Sequence, residues 1–86
     1  STEGSQESLE KAAKALAYAV EKFPKKACVC FGVLFSQLRR RGHKEMCERM
    51  IEDAENCNMW LNDMACRMIG GFYREQGRKE ESETWE

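Results

Sequence analysis

CERMIEDAENCNMWLNDMACRM, residues Cys47 to Met68, is the stretch on which the reading of this chain turns. Seven of its residues, Cys47, Met50, Ala54, Cys57, Leu61, Met64 and Met68, recur at alternating spacings of three and four. That is an a/d heptad stripe with no Gly or Pro inside it, the pattern of one helix face. Such a face needs a helical partner, and its composition is unusual because Cys and Met stand where Leu and Ile are expected. Two readings compete. Either one helix runs from about residue 43 to 69 or beyond, or two helices break near Asn56–Asn58, since Asn is a poor helix former and Asn58 can cap a new helix. The unbroken phase favours continuity.

Upstream, Ser5 or Ser8 can cap a first helix, and Leu9, Ala13, Leu16, Val20 and Phe23 repeat at four, three, four, three. Pro24 stops that helix by disfavouring helical geometry before it. A second helix is expected over 26–41. Ala27, Phe31, Leu34 and Leu38 form its stripe, Cys28 and Phe35 widen it, and Cys30 and Val33 put apolar surface on the other side. A helix apolar all round is the central one. Gly42 ends it, where a left-handed residue is wanted. Gly70 and Gly71 each cost about 1 kcal/mol against Ala inside a helix, so they mark a kink, an end or a close backbone approach.

The expected fold is therefore all-α: an antiparallel three-helix bundle with a long third helix, or four helices if the chain breaks at Asn56–Asn58. Residues 1–4 are expected to fray, 5–76 to form one helical domain, and 77–86 to be a disordered acidic tail. The longest apolar run, Ala27 to Phe35, is nine residues, and a bilayer span needs about 20. The polar N-terminus resembles no signal peptide or presequence, and the chain begins at Ser1 rather than Met, as a trimmed chain would. Five cysteines is an odd number and suits reduced thiols in a cytoplasmic or nuclear protein. A secreted helical ligand with two disulfides and one free thiol is the other reading.

The formal net charge of −1 hides blocks. Lys22 to Lys44 holds seven basic residues and no acidic one, and Glu45 to Asp63 holds six acidic residues against Arg49. Helices two and three lying antiparallel would pair these charges at about 0–1 kcal/mol each. Across two molecules the same blocks would set register and partner choice.

Several motifs bear on chemistry. Arg39, Arg40, Arg41 and Lys44 could fork onto phosphates, which makes a nucleic-acid module the alternative function, although no interleaved aromatics offer base stacking. His43 and Cys47 share a helix face at i, i+4, yet no Cys-x2–4-Cys pair completes a zinc site. No cofactor is implied. The lone His has no identifiable nucleophile and orienting carboxylate, and no phosphate loop occurs, so no enzyme is expected. With Leu34, Leu38 and Gly42, the stretch Leu34 to His43, Leu-Phe-Ser-Gln-Leu-Arg-Arg-Arg-Gly-His, resembles the Leu-x-x-x-Gly-Asp of the BH3 peptide of apoptosis regulators. His43 replaces its Asp and Arg41 an apolar anchor, which removes an ion pair and a hydrophobic contact. The functional expectation is a protein–protein interaction module that self-associates or docks a helical partner. Met50, Cys57, Leu61, Met64 and Met68 would supply an adaptable apolar face, and Arg39, Arg40, Arg41 and Lys44 would steer an acidic partner.

Overall fold

A computed structural model describes the backbone of residues 2–85 and the side chains of residues 10, 11 and 14–85. Five helices follow in order among these residues: α1 Thr2–Lys22, α2 Pro24–Arg40, α3 Lys44–Asn56, α4 Asp63–Glu75 and α5 Lys79–Trp85. The all-helical expectation holds. The long third helix does not: the chain stops at Asn56 and resumes at Asp63.

The reason is local. Asn58 adopts a left-handed φ of 52°. Its N–H donates to the Glu55 carbonyl at 3.1 Å and that of Met59 donates to the Ala54 carbonyl at 2.9 Å. This pair of bonds is a Schellman stop, which satisfies the orphan carbonyls of a helix end and needs a residue tolerant of the left-handed region. Asn is one of the few that qualify besides Gly. Asn58 thus ends one helix rather than capping the next. The cap of α4 is Asn62, whose Oδ1 accepts the Ala65 N–H at 2.8 Å. The same stop closes α2, with Gly42 at φ 79°, and α4, with Gly77 at φ 75°, each with the bond from the following residue closing back at 2.9 Å.

Helix α2 is the hub, packing against α1, α3 and α4. Its Phe31 and Phe35 enter a core with Cys47, Ile51 and Ala54 of α3 and Ile69, Phe72 and Tyr73 of α4. The rings of Phe31 and Phe35 stack at 5.5 Å, and Phe35 meets Phe72 edge-on at 5.7 Å. Burial of this set is what stabilises the fold, at about 1.5–3 kcal/mol for each large side chain fully withdrawn from water.

The tail expected to be disordered is instead α5, folded back onto α4. Its Ser82 is buried, and Trp85 packs half-buried against the core. Arg78 fastens it: the guanidinium donates to Glu48 of α3, reaches Glu81 at 3.3 Å, and lies 4.7 Å from the Tyr73 ring. A polar sequence folds here because it supplies one aromatic and one cation to a core edge that would otherwise be open.

Helix α1 behaves differently. It is separated from α2 by Phe23 alone, with Pro24 at the first position of α2, where its missing N–H costs nothing. None of its described side chains is buried. The Leu9 and Ala13 side chains, and those of the expected caps Ser5 and Ser8, lie outside the described set, and the helix already includes Thr2.

Candidate interaction surface

Because the chain breaks at 57–62, the predicted seam does not form one face. Met50 is half-buried on α3 beside a groove shared with α1 and α2. Cys57 is the C-cap of α3. Leu61 packs toward the core near Trp85. Met64 and Met68 turn to the other flank of α2, with Met64 70% exposed. Five residues expected on one surface are thus spread over four places.

The basic cluster is divided as well. Arg39 is turned inward: its Nε donates to Glu75 Oε2 at 3.2 Å, its Nη2 donates to the other carboxylate oxygen, and its Nη1 donates to the Met68 carbonyl at 3.3 Å. It lies over Gly71, the close approach that the glycine pair signalled. Arg39 first of all by hydrogen bonding, and then by charge, holds the Glu75 carboxyl below its ordinary range. Arg40, Arg41 and Lys44 remain exposed around the α2–α3 turn. Ion pairs join α2 to α4, Arg39 with Glu75, and α3 to the turn before α5, Glu48 with Arg78. The expected pairing of the α2 and α3 charge blocks is not among them.

His43 is exposed at the N-cap of α3, while Cys47 faces the core, so the two do not share a site. No group of three or more His, Cys, Asp or Glu side chains converges on a metal position among the described residues. All five cysteines are unpaired. Burial raises the Cys47 thiol, opposed by the weaker pull of Arg39. Burial also raises Cys66, helped by Asp63 and by the thiol of Cys28. Both therefore sit in the protonated, poorly nucleophilic form.

Two grooves flank α2. The larger, of about 480 Å³, has as one wall Leu16 and Ala19 of α1 with the Phe23 that follows it. Its floor is α2, with Ala27, Cys30 and Leu34, and its far wall is α3, with Met50, Ala54 and the following Met59. Lys26 and Asp53 are its only charged lining residues. Phe23, Cys30 and Leu34 are exposed, so it is a trough open to solvent rather than a closed pocket. Tyr18 stands edge-on to Phe23 at 6.5 Å, and the Lys26 ammonium lies 5.5 Å from the Phe23 ring, which prolongs the apolar rim. The second groove, of about 450 Å³, lies between Val29, Val33 and Arg40 of α2 and Met64 and Met68 of α4. It leaves Val29 63% and Val33 57% exposed.

The sequence points to Met50, Met64 and Met68 as contact residues, and places Leu16, Phe23, Cys30 and Leu34 only on the apolar faces of the first two helices. The signal was the surplus of apolar residues on α2: a helix with apolar positions all round buries only one face unless neighbours cover the others. No helix here is long and apolar enough to cross a membrane, among the described residues.

The fold and its surface define an all-α domain that closes a small core with four helices and leaves an apolar trough under a fifth. Compared with protein-family models, curated proteins and solved structures, the chain matches none.

Proposed function

We propose that this protein is a binding module that receives an amphipathic helix in the trough between α1 and the α2–α3 pair. The observation that supports the reading is the trough's lining: ten apolar or Cys side chains against one Lys and one Asp, left open to solvent. Isolated exposed apolar residues are ordinary, but contiguous apolar patches mark interaction sites. An open channel walled by helices suits the helix-in-groove mode, in which a partner presents anchors at i, i+3, i+4 and i+7. Met50 and Met59 add side chains that repack around different anchors. Arg40, Arg41 and Lys44, outside the trough, would steer acidic partners on approach. No catalytic role is assigned.

The test is a selection from a displayed library of amphipathic helical peptides. Binders should be recovered that lose affinity for Leu34→Glu and Met50→Glu and keep it for Val33→Glu, on the opposite flank of α2. An empty selection, or binders indifferent to Leu34, would remove the reading.

A further inference from the structure

We infer that the flank of α2 opposite the trough is a second docking groove, and that its occupant is an amphipathic helix of another protein with an acidic residue two turns to either side of a central apolar anchor. The site shares no lining residue with the trough, so it stands or falls separately from the function proposed above.

The first ground is shape. The groove, of about 450 Å³, runs between α2 and α4, with exposed Val29 and Val33 on one rim and exposed Met64 on the other. Between the rims the floor drops at Gly32, where a Cβ would meet no atom within 4 Å. One turn on, the floor is closed by Ser36, whose Oγ lies 3.9 Å from the Met68 sulfur. The space over Gly32 therefore takes one apolar side chain from outside, held by aliphatic and thioether groups that adapt to it. Both walls are helices, so a third helix packs along them with its ridge in their groove.

Charge selects which helix. At 3.6 residues per turn, Lys25, Val29, Gly32, Ser36 and Arg40 fall on one side of α2, which puts a cation at each end of the apolar stretch. Both cations are exposed, and neither is in an ion pair among the described residues. Arg40 is the one charged residue of the lining, and no acid lines the groove. The acid on the same side of α4, Glu75, is already held by Arg39. Lys25 is seven residues before Gly32 and Arg40 eight after it, or roughly 10 and 12 Å along the axis at 1.5 Å per residue. A helix laid along α2 with its anchor over Gly32 thus meets both cations about seven positions away on either side. A basic helix would set like charges against both ends, and an uncharged one would leave both cations unmatched. Because the two ends carry the same sign, the pattern fits in either direction.

The probe is a synthetic helical peptide with Leu at i−4, i and i+4 and Glu at i−7 and i+7, compared with a twin that has Lys in both Glu positions. Titrated onto the full chain at low salt, the Glu peptide should bind at least about 10-fold more tightly than the twin, and the difference should shrink as salt rises. Gly32→Leu fills the notch from an open position. It should weaken the Glu peptide at least about 10-fold while circular dichroism stays that of the wild type. A chain carrying Lys25→Glu with Arg40→Glu should reverse the preference and take the Lys peptide. Leu34→Glu, in the trough, should change none of this.

A Glu peptide that does not bind, binding undiminished by Gly32→Leu, or an unaltered preference in the reversed chain would overturn the inference. Loss of binding in Leu34→Glu but not in Gly32→Leu would seat the peptide in the trough, which removes this second site and leaves the proposed function standing. Pelleting of the chain with phosphatidylserine vesicles, abolished by the same reversal while neither peptide binds, would give the flank to a lipid surface and equally overturn it.

Discussion

Arg39 and Gly71 meet where α2 packs on α4, and the absence of a side chain at Gly71 is what lets the guanidinium lie down. A methyl built there would stand 3.2 Å from Arg39 Nη2. Held at Glu75 and at the Met68 carbonyl, the guanidinium has little room to withdraw. Replacing Gly by Ala in a helix interior is worth about 1 kcal/mol in propensity. Gly71→Ala is expected to realise less than that in the wild type and the whole of it in an Arg39→Ala background. Urea unfolding of the four proteins of this cycle checks the difference, and equal gains in both backgrounds would mean that Arg39 does not crowd the site.

The same clasp makes stability depend on acid. Arg39 lowers the folded-state pKa of Glu75 from its ordinary 4.5. A depressed carboxylate stabilises the fold above its unfolded pKa, and that contribution fades as pH falls through the lowered folded value. The wild type should therefore exceed Glu75→Gln in stability at neutral pH, with the gap closing below about pH 4.5. Because both partners are partly exposed, the gap should also shrink with salt. A carboxyl titration by NMR should place Glu75 back near its ordinary value in Arg39→Ala.

Asn58 sets the break that separates α3 from α4. In the left-handed region a β-branched residue is strained, at about 1–2 kcal/mol. Asn58→Val is expected to lose that much in urea unfolding, and Asn58→Gly to be neutral or slightly stabilising. An unperturbed Asn58→Val would show that the break is held by packing rather than by the stop itself.

Burial separates the helices into two classes with different tolerance. Phe35 is fully buried, so Phe35→Ala should cost about 3–5 kcal/mol. Leu16 is only half-covered. Leu16→Ala should cost less than about 1 kcal/mol. Comparable losses would place α1 inside the cooperative core.

Trp85 provides the corresponding test for the last helix. It is partly buried against the core beside Leu61, so Trp85→Ala should lower stability by about 1–2 kcal/mol, below the range for full burial. Unchanged unfolding would return the tail to the role that its composition suggested.

Much of the helical content was legible in the sequence, because periodicity and punctuation act locally. The stops at Gly42 and before Pro24, and the core role of Phe31 and Phe35, follow from spacing and backbone chemistry alone. The 47–68 stripe misled for a physical reason. On α3 it does track the core, through Cys47 and Ala54. On α4 the core face is Ala65, Ile69, Phe72 and Tyr73, while Met64 is exposed and Met68 only packs at the core's edge beside the second groove. Apolar residues occupied two faces, and the phase that continued from α3 was that of the wrong one. The five residues named as a seam were separated by the break at Asn56–Asn58, the alternative that the asparagines signalled and the unbroken phase disfavoured. Arg39 was taken for a free cation because its partners, Glu75 and the Met68 carbonyl, are distant in sequence. The polar tail concealed α5, since a helix held by one aromatic and one arginine has almost no periodic signal.

The placement of α1 outside the core has a consequence for how the chain can change. Elsewhere, a substitution that alters the surface also risks the packing beneath it. In α1 these two effects are uncoupled: its exposed side chains can be rewritten while the remaining helices keep the fold. The outer surface of α1 is thereby an independently adjustable property, open to drift or to design without a compensating change in the body of the molecule.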